Sequence, residues 1–186
     1  MSESTTTVDI ARVTRDGILE TSDVVAQEEP LEIRIEGRPV AITKRTPGHD
    51  TELAAGFLYT EGVIDGHDDI QAMAHVDDPS DPQGNTIDTV LAPGVPAGRR
   101  HAADRNLFAS SSCGVCGKAT IDRLLVDTKP IENPIVPNPD VLFGLPDSVR
   151  KHQAVFAQTG GLHAAALFDV DGAIEVVRED IGRHNA

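Results

Sequence analysis

Pro30-Leu31-Glu32-Ile33-Arg34-Ile35-Glu36-Gly37-Arg38-Pro39-Val40-Ala41-Ile42-Thr43 reads as a strand, a turn and a returning strand. Leu31, Ile33 and Ile35 alternate with Glu32, Arg34 and Glu36, the period of a strand with one buried face. Gly37 supplies the turn and residues 40–43 the return, which makes a β-hairpin. Thr46-Pro47-Gly48 then breaks the sheet, and Asp50 or Thr51 is placed to cap a helix running to about Glu61. Leu53, Ala54, Phe57 and Leu58 form its apolar stripe, and Gly62 stands at the stop.

The pattern continues on both sides. Upstream, residues 8–13 form a weak strand, Gly17 marks a turn and residues 23–26 extend. Downstream, residues 66–69 start a short element and residues 77–84 read as an acidic surface loop. Residues 86–91 are a strand, and residues 93–98 a turn-rich connector. Residues 118–126 read as helical, and residues 129–139, with four prolines, as an extended connector. Residues 140–158 read as a helix restarted at Pro146 and ended by Gly160-Gly161. Residues 162–168 are an apolar strand, residues 169–172 a tight turn, and residues 173–178 the next strand. The chain divides into an N-terminal β-hairpin and helix portion, residues 1–105, and a second portion, residues 106–186.

Composition narrows the function. The 186 residues carry 16 Lys and Arg against 30 Asp and Glu, a net charge of −14. Such a surface repels nucleic acid and anionic membranes, so neither is an expected partner. Arg99, Arg100 and Arg105 are the one small basic cluster. Asp outnumbers Glu 19 to 11 and only 4 residues are Lys, a bias shared by salt-adapted proteins and by GC-rich coding sequence. The longest apolar run, residues 164–168, is too short to span a bilayer. The first nine residues show neither the basic nor the apolar region of a secretory signal, so the expected location is cytoplasmic. Two cysteines cannot build a disulfide framework, and their closeness points to chemistry or metal.

Those cysteines lie in Ser110-Ser111-Ser112-Cys113-Gly114-Val115-Cys116-Gly117-Lys118. A CxxC pair serves half of a tetrahedral zinc site, a redox dithiol or a sulfur carrier. Structural zinc takes four ligands, and the sequence has neither a second CxxC nor closely spaced histidines to complete them. The flanks do not follow a thioredoxin βαβ pattern. Gly114 and Gly117 remove side chains beside both sulfurs, which suits an exposed thiol loop better than a buried pair. Lys118 and a following helix would favour thiolate. The spacing alone does not choose among these uses. A nucleobase deaminase is disfavoured, because its H-x-E comes before a P-C-x-x-C. Here the CxxC comes first, no proline precedes Cys113, and Ala164-Ala165 follows His163.

Two further motifs carry candidate ligand chemistry. Thr159-Gly160-Gly161-Leu162-His163 sets a histidine just after a glycine turn, either as a core histidine or as a pocket residue whose glycines let a ligand approach the backbone. Glu179-Asp180-Ile181-Gly182-Arg183-His184-Asn185 is dense in donors and acceptors. In it Arg183 offers a planar fork to phosphate, and Asp180 and His184 are placed to orient one another. The plain alternative is a solvated chain end.

Taken in order, these stretches resemble a known family. They are Glu29-Pro30-Leu31, Arg45-Thr46-Pro47-Gly48, residues 52–64, Ser111-Ser112-Cys113-Gly114-Val115-Cys116-Gly117, residues 156–166 and residues 179–186. The sequence resembles the formate dehydrogenase accessory sulfurtransferases, the FdhD sulfur carriers. The resemblance implies a cytidine deaminase-like three-layer α/β core with a smaller N-terminal portion, acting as a homodimer. It also implies that a cysteine desulfurase delivers sulfur as a persulfide. That sulfur passes to the molybdenum or tungsten bis-pterin guanine dinucleotide cofactor destined for formate dehydrogenase. By motif, Cys113 is the persulfide carrier and Cys116 the relaying or resolving thiol. Gly160, Gly161, His163, Asp180, Arg183 and His184 are the cofactor-binding residues, no metal being permanently bound. Family members continue beyond the Gly-Arg-His-Asn motif, so the core is expected to be incomplete at Ala186. The rival readings are a non-catalytic remnant that holds cofactor or partner, and a CxxC metal or redox protein.

Overall fold

The computed structural model describes residues 4–100, 132 and 135–186. Cys113 and Cys116, the helix expected over residues 118–126 and the division expected at residues 105 and 106 lie outside them. The described chain is mixed α/β, as expected, and separates into two compact units. One comprises residues 28–100 with Asn185. The other comprises residues 4–27, 132, 135–184 and Ala186.

The first unit is built on the hairpin β3 (Glu29–Ile35) and β4 (Arg38–Arg45). β1 (Thr5–Thr14) and β2 (Gly17–Ala26) belong to the second unit. Glu36 and Gly37 form a two-residue loop with φ of 50° and 78°. Positive φ at both loop residues is the pattern of a type I′ turn, whose twist matches that of the strands it joins. The Asp88 carboxylate accepts from Gly37 N at 3.0 Å and secures the turn. β5 (Ile70–His75) and β6 (Thr86–Leu91) complete a four-stranded sheet in the order β4-β3-β6-β5. β3 runs parallel to β6, and the other pairs are antiparallel.

Helix α1 (Asp50–Thr60) covers one face of this sheet. Leu31, Ile33 and Ile35 from β3 meet Ala54 and Leu58 from α1 and Ile87 and Leu91 from β6, all fully or nearly fully buried. Leu53 and Phe57 pack at the margin. Gly62, with φ of +71°, ends the helix where the sequence places the stop. Asp50 is not the cap. It lies inside the first turn, the N-cap is His49, and no side chain caps it. A one-turn 3₁₀ helix, residues 67–69, leads into β5. The residues 77–84 loop is held locally: the Ser80 hydroxyl and amide bond the Asp78 carboxyl and keep it below the usual carboxylate range. Overlapping the end of the connector expected over residues 93–98, residues 97–100 form a single helical turn, α2 (Ala97–Arg100). Arg99 is paired with Asp65 at 2.6 Å, which holds the guanidinium above its ordinary pKa.

The second unit holds the ladder of β1 (Thr5–Thr14) and β2 (Gly17–Ala26), ten residues each and longer than the short strands expected there. It also holds α3 (Pro139–Arg150), α4 (Ala154–Thr159), and the antiparallel pair β7 (His163–Phe168) and β8 (Ile174–Asp180). The helix expected across residues 140–158 is two helices. The break lies at residues 151–153, where His152 turns its Nδ1 toward Ser148 O at 2.9 Å, and not at Pro146, which sits inside α3. Asn138 caps α3, its Oδ1 accepting from Asp140 N at 2.9 Å, with Pro139 at the first helical position. The Arg150 guanidinium lies 5.6 Å from the Phe156 ring centroid, across the break.

The turn between β7 and β8 fits closely against α3. Gly172 has φ of +86°, and a Cβ there would stand 2.7 Å from Val141 Cγ1. Gly172→Ala therefore meets both a steric overlap and an unfavourable backbone. Thermal or urea unfolding should show it destabilised by about 1–3 kcal/mol. A variant as stable as the wild type would show that this turn does not pack on α3.

Candidate functional site

The antiparallel register of β7 and β8 joins the two ligand motifs that the sequence separates. His163 opens β7 directly opposite Asp180, which ends β8. The glycine turn before β7 and the polar loop after β8 therefore leave the same end of this two-stranded sheet. The structure brings together Gly160, Gly161, His163, Asp180, Arg183 and His184 at that end. It says nothing of Cys113 and Cys116, which lie outside the described residues.

Each motif has a local reason for its shape. Gly160 takes the left-handed conformation, φ of 66°, that ends α4, and its amide donates to Phe156 O at 2.7 Å. Thr159 Oγ1 donates to Val155 O at 2.9 Å and accepts from Gly161 N at 3.2 Å, pinning the turn from both sides. On the β8 side, Asp180 is buried, and its Oδ1 accepts from Gly182 N at 2.6 Å. This folds the chain back into the final loop, where Ala186 N donates to Gly182 O. Arg183 and His184 stand exposed on that loop, and His163 is exposed on its strand. Among the described residues no carboxylate lies within ion-pair distance of Arg183.

Charge at this end is arranged asymmetrically. The acidic side chains are turned into the protein: Asp180 bonds the backbone of its own loop, and half-buried Glu179 bonds the amides of Val155 and Phe156 at 3.0 and 2.8 Å. Three groups that can carry positive charge, His163, Arg183 and His184, face solvent. An exposed guanidinium at the same end of the sheet as two exposed imidazoles is suited to an anion with several oxygens.

A second polar cluster, in the first unit, was not among the sequence-derived candidates. Arg45 is 1% exposed and holds Asp50 with two bonds, Nε to Oδ1 at 2.9 Å and Nη2 to Oδ2 at 2.7 Å. Its fork also reaches Glu29 Oε2 at 3.5 Å and Asn85 Oδ1 at 3.0 Å, and His75 Nε2 lies 3.7 Å from Asp50 Oδ2. Asp50, Glu29 and Asn85, from three different stretches, meet on one guanidinium, and Nε, Nη1 and Nη2 each have a protein partner. The cluster fastens the start of β3, the end of β4 and the first turn of α1. The available signal was a charged residue at each edge of the Thr46-Pro47-Gly48 break.

The chain is a mixed α/β protein that carries a CxxC and a polar Gly-Arg-His-Asn loop. Its residues 26–186 match the FdhD/NarQ family. The chain belongs to that family. Over 92% of its length it is 47% identical to a protein of Streptomyces coelicolor named sulfur carrier protein FdhD, of which it spans 63%. Over 95% of its length it is 43% identical to the Mycobacterium tuberculosis protein of the same name, of which it spans 67%. A crystal structure described as a candidate formate dehydrogenase accessory protein from Desulfotalea psychrophila shares the fold. Its TM-score is 0.69 at 20% identity, covering 98% of this chain and 65% of that one. No helix among the described residues is long and apolar enough to cross a membrane.

Proposed function

We propose that this chain is a cytoplasmic sulfur carrier in formate dehydrogenase maturation. The observation that carries the reading is an ordered set of motifs, CxxC, Gly-Gly-Leu-His and Gly-Arg-His-Asn, within a stretch matched by a family whose members are named sulfur carriers. In the proposed cycle the Cys113 thiolate attacks the terminal sulfur of a cysteine desulfurase persulfide. The desulfurase S–S bond breaks, its cysteine leaves as thiolate, and Cys113 becomes a persulfide. Cys116 then relays or resolves that sulfur, which is passed to a molybdenum or tungsten bis-pterin guanine dinucleotide cofactor, here a substrate. His163, Arg183 and His184 would hold the phosphates of that cofactor at the open end of β7 and β8, with Gly160 and Gly161 letting it approach the backbone and Asp180 shaping the loop. Two copies are expected to act together, as in the homodimers that the resemblance implies.

Intact-mass measurement after incubation with a cysteine desulfurase and cysteine tests the first step. The wild type should gain one sulfur atom that a reductant removes, and Cys113→Ala should gain none. Undiminished loading of Cys113→Ala would overturn the assignment of the carrier thiol.

A further inference from the structure

The carboxylate of Glu179 has no role in the reading above, yet it makes the most specific contact near the anion-binding end of β7 and β8. Both of its oxygens are used: Oε2 accepts from Val155 N at 3.0 Å and Oε1 from Phe156 N at 2.8 Å. These amides belong to the first turn of α4, whose N-cap, Gln153, supplies no side-chain bond. A six-residue helix does not hold itself together in water, because nucleation fixes several residues for each hydrogen bond gained. Glu179 supplies from β8 the cap that the local sequence lacks.

The consequence falls on the glycine turn. α4 ends directly in Gly160-Gly161-Leu162-His163. Its far end is tied by the rung of His163 and Asp180, and the adjacent rung pairs Ala164 with Glu179 itself. The residue that fixes the beginning of α4 is thus one step along the strand from the residue that faces His163. The turn is held between two neighbouring attachments on β8.

We infer that Glu179 is a positioning residue for the Gly160–His163 turn, fixing it for an anion held by His163 and Arg183. The inference rests on the anion-binding reading above. It makes an unusual demand on sign. A carboxylate near an anion site that acted only through its charge would weaken binding, so its removal would tighten it. If Glu179 positions the turn, its removal loosens it.

The test is calorimetric titration of the full chain with guanosine diphosphate, paired with hydrogen exchange of backbone amides. Glu179→Ala should raise Kd about fivefold or more, the factor that matches loss of a helix cap. Glu179→Gln, which keeps one acceptor oxygen, should fall between it and the wild type. The amides of Val155 and Phe156 should exchange faster in both variants. General unfolding is separable, because irreversibly unfolded protein lowers the stoichiometry of binding, and reversible unfolding speeds exchange of the protected amides of β7 and β8 as well as those of Val155 and Phe156. Binding by Glu179→Ala as tight as or tighter than wild type, or unaltered protection of those two amides, overturns the inference alone. No binding by the wild type overturns the anion-site reading and the inference with it.

Discussion

Replacing Arg45 by alanine is expected to remove about 3–5 kcal/mol of stability, enough to unfold much of the first unit near room temperature. The reason is what the substitution leaves behind. Asp50 and Glu29 are buried, and Arg45 supplies two bonds to Asp50 and one to Glu29. Without the guanidinium, two carboxylates remain in a poorly solvated site with no strong counter-charge; His75, half-exposed and 3.7 Å from Asp50, is a weak substitute. Asn85 Oδ1 loses the Arg45 donor as well. Arg45→Met, which restores most of the volume, should be almost as damaging, because the cost lies in unpaired charge and not in a cavity. Adding Asp50→Asn to Arg45→Met should recover part of the loss, since one buried charge is then gone. Urea unfolding of the three variants decides it. A loss below about 1 kcal/mol in Arg45→Ala would mean that the cluster is hydrated and the ion pairs contribute as surface pairs do.

That cluster shows what a linear reading can and cannot see. The β3–β4 hairpin was legible because Leu31, Ile33 and Ile35 alternate with charged residues, and a period of two has one structural meaning. The α1 stripe and the β7–β8 pair were legible for similar reasons. β5 was not, because Ile-Gln-Ala-Met-Ala-His neither alternates nor favours strands; its place is set by pairing with β6. The break between α3 and α4 was hidden because residues 151–153 contain no glycine or proline, while Pro146 drew attention to a position that stays helical. Arg45, Glu29, Asp50 and Asn85 share no motif, and only the folded sheet brings them together. The candidate site divides along the same line. His163, Arg183 and the thiols were readable as chemistry from residue type and spacing. Glu179 was visible only as part of a motif, and its contact with α4 required the fold.

Exchanging Cys116 for serine should separate loading of sulfur from its release. Loading requires only the Cys113 thiolate and an incoming persulfide, so Cys116→Ser should gain one sulfur from the desulfurase as the wild type does. Release by resolution requires a second nucleophile. In the proposed cycle the Cys116 thiolate would attack Sγ of Cys113, breaking the persulfide bond, expelling hydrosulfide and leaving the two cysteines as a disulfide that a dithiol must later reduce. A serine hydroxyl is not appreciably ionised at neutral pH and does not perform this exchange. In a single turnover, sulfide formation should therefore fall on the order of a hundredfold or more, and no disulfide should form. Cyanide, which removes the terminal sulfur directly, should unload wild type and variant equally, showing that the persulfide itself is intact. Sulfide release by Cys116→Ser at the wild-type rate would remove Cys116 from the pathway. Loading lost in Cys116→Ser and kept in Cys113→Ser would exchange the two roles. Serine differs from cysteine by one atom, oxygen in place of sulfur, so the substitution at 116 changes nucleophilicity far more than it changes shape.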